Sequence, residues 1–119
     1  MATNNNRLGD IYKHLQSKGF KVYAPAQHEG ECTEKYIVVQ LYLGSQVSTY
    51  SSYSQQYDIL LYVPKDQYSQ LEDFIALVKA AMKEMEPTIM PLYSQTASYY
   101  DEAVGGHMVS IQYRNSRKA

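Results

Sequence analysis

Two segments alternate so that neither side of a strand is left idle. In residues 36–43, Ile37, Val39, Leu41 and Leu43 fall on one side and Tyr36, Val38, Gln40 and Tyr42 on the other, because successive side chains of a strand point to opposite faces. Residues 57–63 repeat the pattern, with Tyr57, Ile59, Leu61 and Val63 set against Asp58, Leu60 and Tyr62. The first sides predict a core face. The second, rich in tyrosine, predict a surface offered to a partner, with Tyr36, Val38, Tyr42, Leu60 and Tyr62 as its contact residues.

Helical spacing appears twice. Leu8, Ile11, Tyr12 and Leu15 predict an amphipathic helix over residues 7–18, capped by Asn5 or Asn6 and stopped by Gly19. Leu71, Phe74, Ile75, Val78, Met82 and Met85 predict a second helix on the aliphatic face of the sheet. Its start is a Ser69–Glu72 capping box, or Asp66 one turn earlier, and Pro87 ends it. Residues 20–24 alternate as a short strand closed by Pro25, and residues 88–93 and 107–113 read as two more. In the last of these, Val109, Ile111 and Tyr113 oppose Met108, Ser110 and Gln112. Between them YYDEAVGG, residues 99–106, predicts a turn whose glycines supply positive φ. The result is an α+β fold: one domain over residues 1–119, with a mostly antiparallel sheet of four to five strands, two helices packed on one face, and the order α-β-β-β-α-β-β.

The remaining stretches are irregular. Residues 26–35 carry three glutamates and no periodicity, which predicts an exposed loop. Residues 44–56 hold Val47, Tyr50 and Tyr53 among serines and glutamines. So few large apolar groups do not offset roughly 1 to 2 kcal/mol per residue of backbone ordering, which predicts a flexible hairpin arm whose Tyr50 and Tyr53 dock on a neighbour. Residues 114–119 read as a frayed basic tail.

Composition narrows the function classes. The chain has 13 Tyr, 2 Phe and no Trp; a tyrosine ring is large, rigid and polar at its tip, so it suits a surface wet before assembly and buried after it. Eleven basic and 12 acidic residues give a net charge of −1, and no global field draws in nucleic acid or an anionic membrane. No apolar run approaches 18 residues and the start lacks the plan of a signal peptide, so a soluble protein made in a cytoplasm is expected. The lone Cys32 has no partner for an internal disulfide.

Chemistry-bearing patterns are scarce. His14, His28 and His107 stand in no triad, and no phosphate-cradling loop is present. His28 and Cys32, four apart in His-Glu-Gly-Glu-Cys, can share a zinc ion, but a structural site needs four ligands and no second pair accompanies them. The reading is therefore of a non-enzyme without metal or cofactor. Arg114, Arg117 and Lys118 form a small terminal patch which, beside an aromatic sheet, raises an RNA-binding surface. Against it, Asp58 lies among the tyrosines and no arginine or lysine shares their strand face.

Taken together, an amphipathic N-terminal helix running into FKVYAP, the strand YIVVQLYL, the strand QYDILLYV leading into the helix LEDFIALVKAAMKEM, and the closing SYYDEAVGGHMVSIQYR resemble the tail terminator, or tail-completion and head-tail joining, proteins of long-tailed bacteriophages and phage-tail-like particles. The resemblance spans nearly the whole chain and rests on element order and hydrophobic texture. It implies a virion structural protein of the tail or neck: a homo-oligomer, usually a hexameric ring, that caps the tail tube, ends its polymerisation and offers a head-joining surface. The implied partners are further copies of the chain, the tail tube protein and the head-tail connector protein, with no membrane and no specific nucleic acid. A head-tail connector or adaptor ring is the nearest competitor. From other classes come an RNA-binding or small-ligand α+β module and a hydrolase. A ring is built from heterologous contacts, so each subunit needs two different complementary patches, and the tyrosine-bearing face with its arm supplies one.

Overall fold

In the computed structural model, residues 8–24, 31–41, 56–86 and 88–115 are described. Helix α1 (Leu8–Ser17) buries Ile11 and Leu15 on its apolar stripe. It ends as its sequence predicts, with Gly19 at φ 95°. The Phe20 N–H reaches back to the Leu15 carbonyl at 3.3 Å and the Gly19 N–H to the Gln16 carbonyl at 3.0 Å. This pair of bonds closes orphan carbonyls at the helix end and turns the chain so that Phe20 meets the core.

The chain then forms β1 (Val22–Tyr23), β2 (Tyr36–Leu41) and β3 (Gln56–Pro64). β1 runs parallel to β2, and β2 is antiparallel to β3. A 3-10 segment, Lys65–Gln70, leads into α2 (Leu71–Lys83). The rest of the sheet is β4 (Ile89–Gln95), β5 (Tyr99–Asp101) and β6 (Gly106–Asn115). The strand order is β1-β2-β3-β6-β4, with β5 lying beside β4 along the same edge of β6.

The α+β class, the two helices and the predominance of antiparallel pairing agree with the sequence reading. The detail differs in three ways. The sheet is mixed and has six strands, because β1 pairs parallel with β2 and Tyr99–Asp101 forms a strand. β4 and β5 pair with successive parts of β6, with a register shift inside β4 between Pro91 and Gln95 and residues 96–98 between the two strands, and the two tyrosines of β5 pair with Met108 and His107. The turn is therefore only residues 102–105.

Of its two glycines, Gly105 alone takes positive φ, at 68°. Gly106 lies in β6 for a different reason, since a Cβ there would stand 2.8 Å from the Val63 carbonyl oxygen and 2.9 Å from Cys32 Cβ. Neither Ser69 nor Asp66 caps α2. Its N-cap is Gln70, without a side-chain capping bond. The preceding 3-10 turn already supplies a partner, the Tyr68 carbonyl, for the Leu71 N–H. Pro87 and residues 44–55 of the expected 44–56 arm lie outside the described residues, while Gln56 opens β3 opposite Arg114; the helix itself closes earlier, with Glu84, Met85 and Glu86 donating to the carbonyls three residues before them.

One apolar cluster joins both helices to one side of the sheet. It contains Ile37 and Val39 of β2, Tyr57, Ile59, Leu61 and Val63 of β3, Val109, Ile111 and Tyr113 of β6, and Leu71, Phe74, Val78 and Met82 of α2. The register explains the match: Ile37 faces Leu61, which faces Val109, and Val39 faces Ile59, which faces Ile111. At the helix pair, His14 Nε2 donates to the Ala81 carbonyl at 2.8 Å and Lys18 Nζ lies 2.7 Å from a Glu84 oxygen. That hydrogen bond holds the Glu84 carboxyl below the usual carboxylate range.

Candidate functional site

The opposite side of the sheet is organised in cross-strand rows. In the first, Tyr36 of β2 faces Tyr62 of β3, which faces Met108 of β6, which faces Tyr99 of β5. In the second, Val38 faces Leu60 and Leu60 faces Ser110. The third is polar: Gln40, Asp58 and Gln112 stand abreast, and Gln112 Nε2 donates to Asp58 Oδ1 at 3.2 Å. Opposed side chains on neighbouring strands lie within contact distance, so each row behaves as one strip of surface.

The aromatic row is tightly made. Tyr36 and Tyr62 stack with centroids 4.7 Å apart and planes 13° from parallel, and Tyr23 meets Tyr36 edge-on at 5.5 Å. Tyr36 is 2% exposed, which corrects the expectation that it stands free for a partner: its ring faces are taken by its own neighbours. Burial, and after it the nearby Cys32 and Tyr62, pushes the Tyr36 phenol well above its ordinary pKa. Burial also raises Tyr62, with Asp101 and Tyr99 adding to the effect. A ring held in this way has no free face on which a nucleobase could stack.

Val38, Leu60 and Tyr62 are half-buried and form the accessible apolar part of this surface. The structure thus brings together four of the sequence-predicted contact residues, Tyr36, Val38, Leu60 and Tyr62. Tyr42, Tyr50 and Tyr53 lie outside the described residues. Tyr23, Met108 and the half-exposed Tyr99 join the surface without having been read as part of it; the strand-forming tyrosine pair at residues 99–100 was the available signal.

The other sequence candidates fall elsewhere. Cys32 is buried, and its Sγ donates to the Glu34 carbonyl at 3.4 Å. Burial pushes the thiol up, so it is protonated near neutral pH and a poor nucleophile. His107 lies between Tyr68 and Tyr100, at 4.6 and 5.2 Å between centroids, while His14 lies in the helix pair. His28 lies outside the described residues, and among the described residues no group of three His, Cys, Asp or Glu side chains is placed to hold a metal ion. Nor is any described helix long and apolar enough to cross a membrane.

A concavity opens on the helix side of the sheet. It measures about 380 Å³ and lies between the C-terminal half of α2 and strands β4 and β6, lined by Lys79, Lys83 and Glu86 from the helix side and by Pro91, Gln95, Ile111 and Tyr113 from the sheet. Lys79 Nζ donates to Gln95 Oε1 at 3.0 Å, linking the helix side of the lining to β4. Burial, with the Glu86 charge adding to it, pushes the Tyr113 phenol up to about 12.

The chain matches no protein-family model, and comparison with curated proteins returns no significant match.

Proposed function

We propose that this protein is a structural subunit of a ring that caps the tail tube of a phage or phage-tail-like particle, ending tube polymerisation and presenting a surface for head joining. The observation that carries the assembly part of this reading is the two-faced sheet. Both helices pack on one side, and the other side keeps Val38, Leu60 and Tyr62 half-exposed beside a rigid aromatic row. A preorganised apolar strip of this kind loses little side-chain freedom when a partner covers it, so little of the contact energy is spent on ordering. The assignment to a tail rests on the resemblance of element order and strand texture set out above. In this reading the partners are further copies of the chain, the tail tube protein and the head-tail connector protein.

Native mass spectrometry of the full chain at micromolar concentration, with immunolabelled imaging of tail ends in lysates of producing cells, tests the proposal. Ring-sized complexes and label at tail ends are the expected result. A strictly monomeric protein absent from tail ends overturns it. Replacing Val38 and Leu60 together with Thr is expected to weaken the rings while leaving the circular dichroism spectrum unchanged, because threonine suits a strand and the positions are half-exposed on the face away from the helices.

A further inference from the structure

Resting on the assembly reading above, we infer that the cleft between α2 and the β4–β6 edge receives carboxylate side chains from the β5–β6 turn of the next copy, making the second of the two patches that a head-to-tail ring requires. The cleft is built for an anion. Lys79 and Lys83 are one helical turn apart and line the same cleft. Among the described residues neither has a carboxylate within ion-pair distance, and with Glu86 on the same flank they leave the cleft one positive charge in excess.

Tyr113 supplies a donor in the lining. It is 4% exposed, lines the cleft, and has no hydrogen-bond partner for its hydroxyl among the described residues. A buried phenol in that condition favours an incoming acceptor, since leaving it unpaired forfeits a hydrogen bond. Ile111 and Pro91 give the cleft apolar walls suited to the methylene stem of a glutamate.

The complementary group is at the other end of the same strand. The Cys32 N–H donates to the Val104 carbonyl, and a Cβ on Gly105 would meet Glu31 Oε2 at 3.4 Å. These contacts hold Glu31 against the turn that carries Glu102, and both glutamates are exposed. Gly106 and Tyr113 are seven residues apart on β6, or about 23 Å along a strand. One subunit therefore presents its acidic corner and its basic cleft at opposite ends, as a repeating head-to-tail contact needs.

Charge reversal on the full chain tests this by sedimentation velocity at low salt. Lys79→Glu with Lys83→Glu, and separately Glu31→Lys with Glu102→Lys, are each expected to weaken association by about tenfold or more. Combining all four changes in one chain is expected to restore it. Rings indifferent to both reversals, or reversals that the fourfold swap does not rescue, overturn the cleft contact and leave the proposed function standing. A strictly monomeric wild-type protein overturns both. Should a reversal unfold the chain, Lys79→Gln with Lys83→Gln carries the same test: weakened association supports the contact and unchanged association refutes it.

Discussion

The two faces of this sheet are buried by different means. On the helix side, Ile37, Ile59 and Leu61 are wholly covered and belong to the single cluster that also takes in Val78 and Met82 of α2. On the other side, Tyr36 and Met108 are almost as buried, at 2% and 9% exposed, yet the groups around them are rings and side chains of the sheet together with Cys32 of the segment before β2. The helix side is a core in which a second layer excludes water. The outer side is a laterally packed strip, rigid at its aromatic row and half-open at Val38 and Leu60. Burial of a residue and membership of the core cluster are therefore separate properties here, and a surface strip can be preorganised without belonging to that cluster.

The change expected to break this contrast most forcefully is Val78→Asp. Val78 is fully buried on α2, and an aspartate there is an unpaired charge under a helix. Its cost is about 3 to 5 kcal/mol, a large share of the roughly 5 to 15 kcal/mol that holds a domain together. Urea unfolding followed by circular dichroism is expected to show a largely unfolded variant. A variant that unfolds at the wild-type midpoint places the core elsewhere.

Much of this contrast is legible in the sequence, because strand alternation and helical spacing act locally. The side chains of residues 36–41 and 57–63 sort onto the two faces as their alternation predicts, and Gly19 ends α1 as its position predicts. What escapes the sequence depends on pairing. Tyr23 and Tyr99 join the aromatic row only because β1 and β5 take particular registers against β2 and β6. The parallel β1–β2 pair is hidden because residues 26–35, which precede β2 in sequence, carry no periodicity. Gly106 looks like a turn residue, whereas its small size is set by the Val63 carbonyl and Cys32 lying across from it. The basic cleft is hidden for a similar reason: Lys79 and Lys83 look like any solvated helix flank until Tyr113 and Gln95 are brought opposite them.

Alkaline titration sharpens the comparison at intermediate cost, because each face holds a perturbed phenol. Tyr113 on the helix side is pushed up to about 12, and Tyr36 and Tyr62 on the outer side are also raised, with burial the leading cause in all three. A phenol whose folded pKa lies above its unfolded value of about 10 contributes full stability below that pH and loses it as pH rises toward the folded value. For Tyr113 the difference of about two pH units corresponds to roughly 3 kcal/mol. Absorbance at alkaline pH is expected to show exposed tyrosines ionising first. The remaining tyrosines should then ionise in a cooperative step that coincides with loss of the circular dichroism signal above pH 10. Tyr36→Phe and Tyr113→Phe should each make unfolding less alkali-sensitive, because each removes a phenol that ionises less readily in the fold than in the unfolded chain. A single smooth titration of every tyrosine at the ordinary value would remove the lateral packing argument for the outer face.

The smallest expected effect, the loss at Leu60, gives the cleanest discriminator when set against that at Leu61, its neighbour on β3. Leu61 is 0% exposed and faces Ile37 and Val109 beneath the helices. Leu60 is half-buried on the outer face, between Val38 and Ser110. Truncating Leu61 to Ala removes fully buried methyl groups and leaves a cavity that two packed layers cannot readily close, at about 2 to 5 kcal/mol. Truncating Leu60 to Ala removes contacts that are already partly wet, so only part of the transfer energy of a leucine is lost, about 1 kcal/mol. Backbone, strand and pairing are the same for both, so differences in strand propensity cancel in the comparison. Urea midpoints of the two variants at a concentration where the chain is monomeric supply the measurement. A clear gap, with Leu60→Ala near wild type in stability but weakened in self-association, is the expected pattern. Equal losses in the two variants would mean that the outer face is as much a core as the inner one, and that the partner-binding strip must be sought on another part of the molecule.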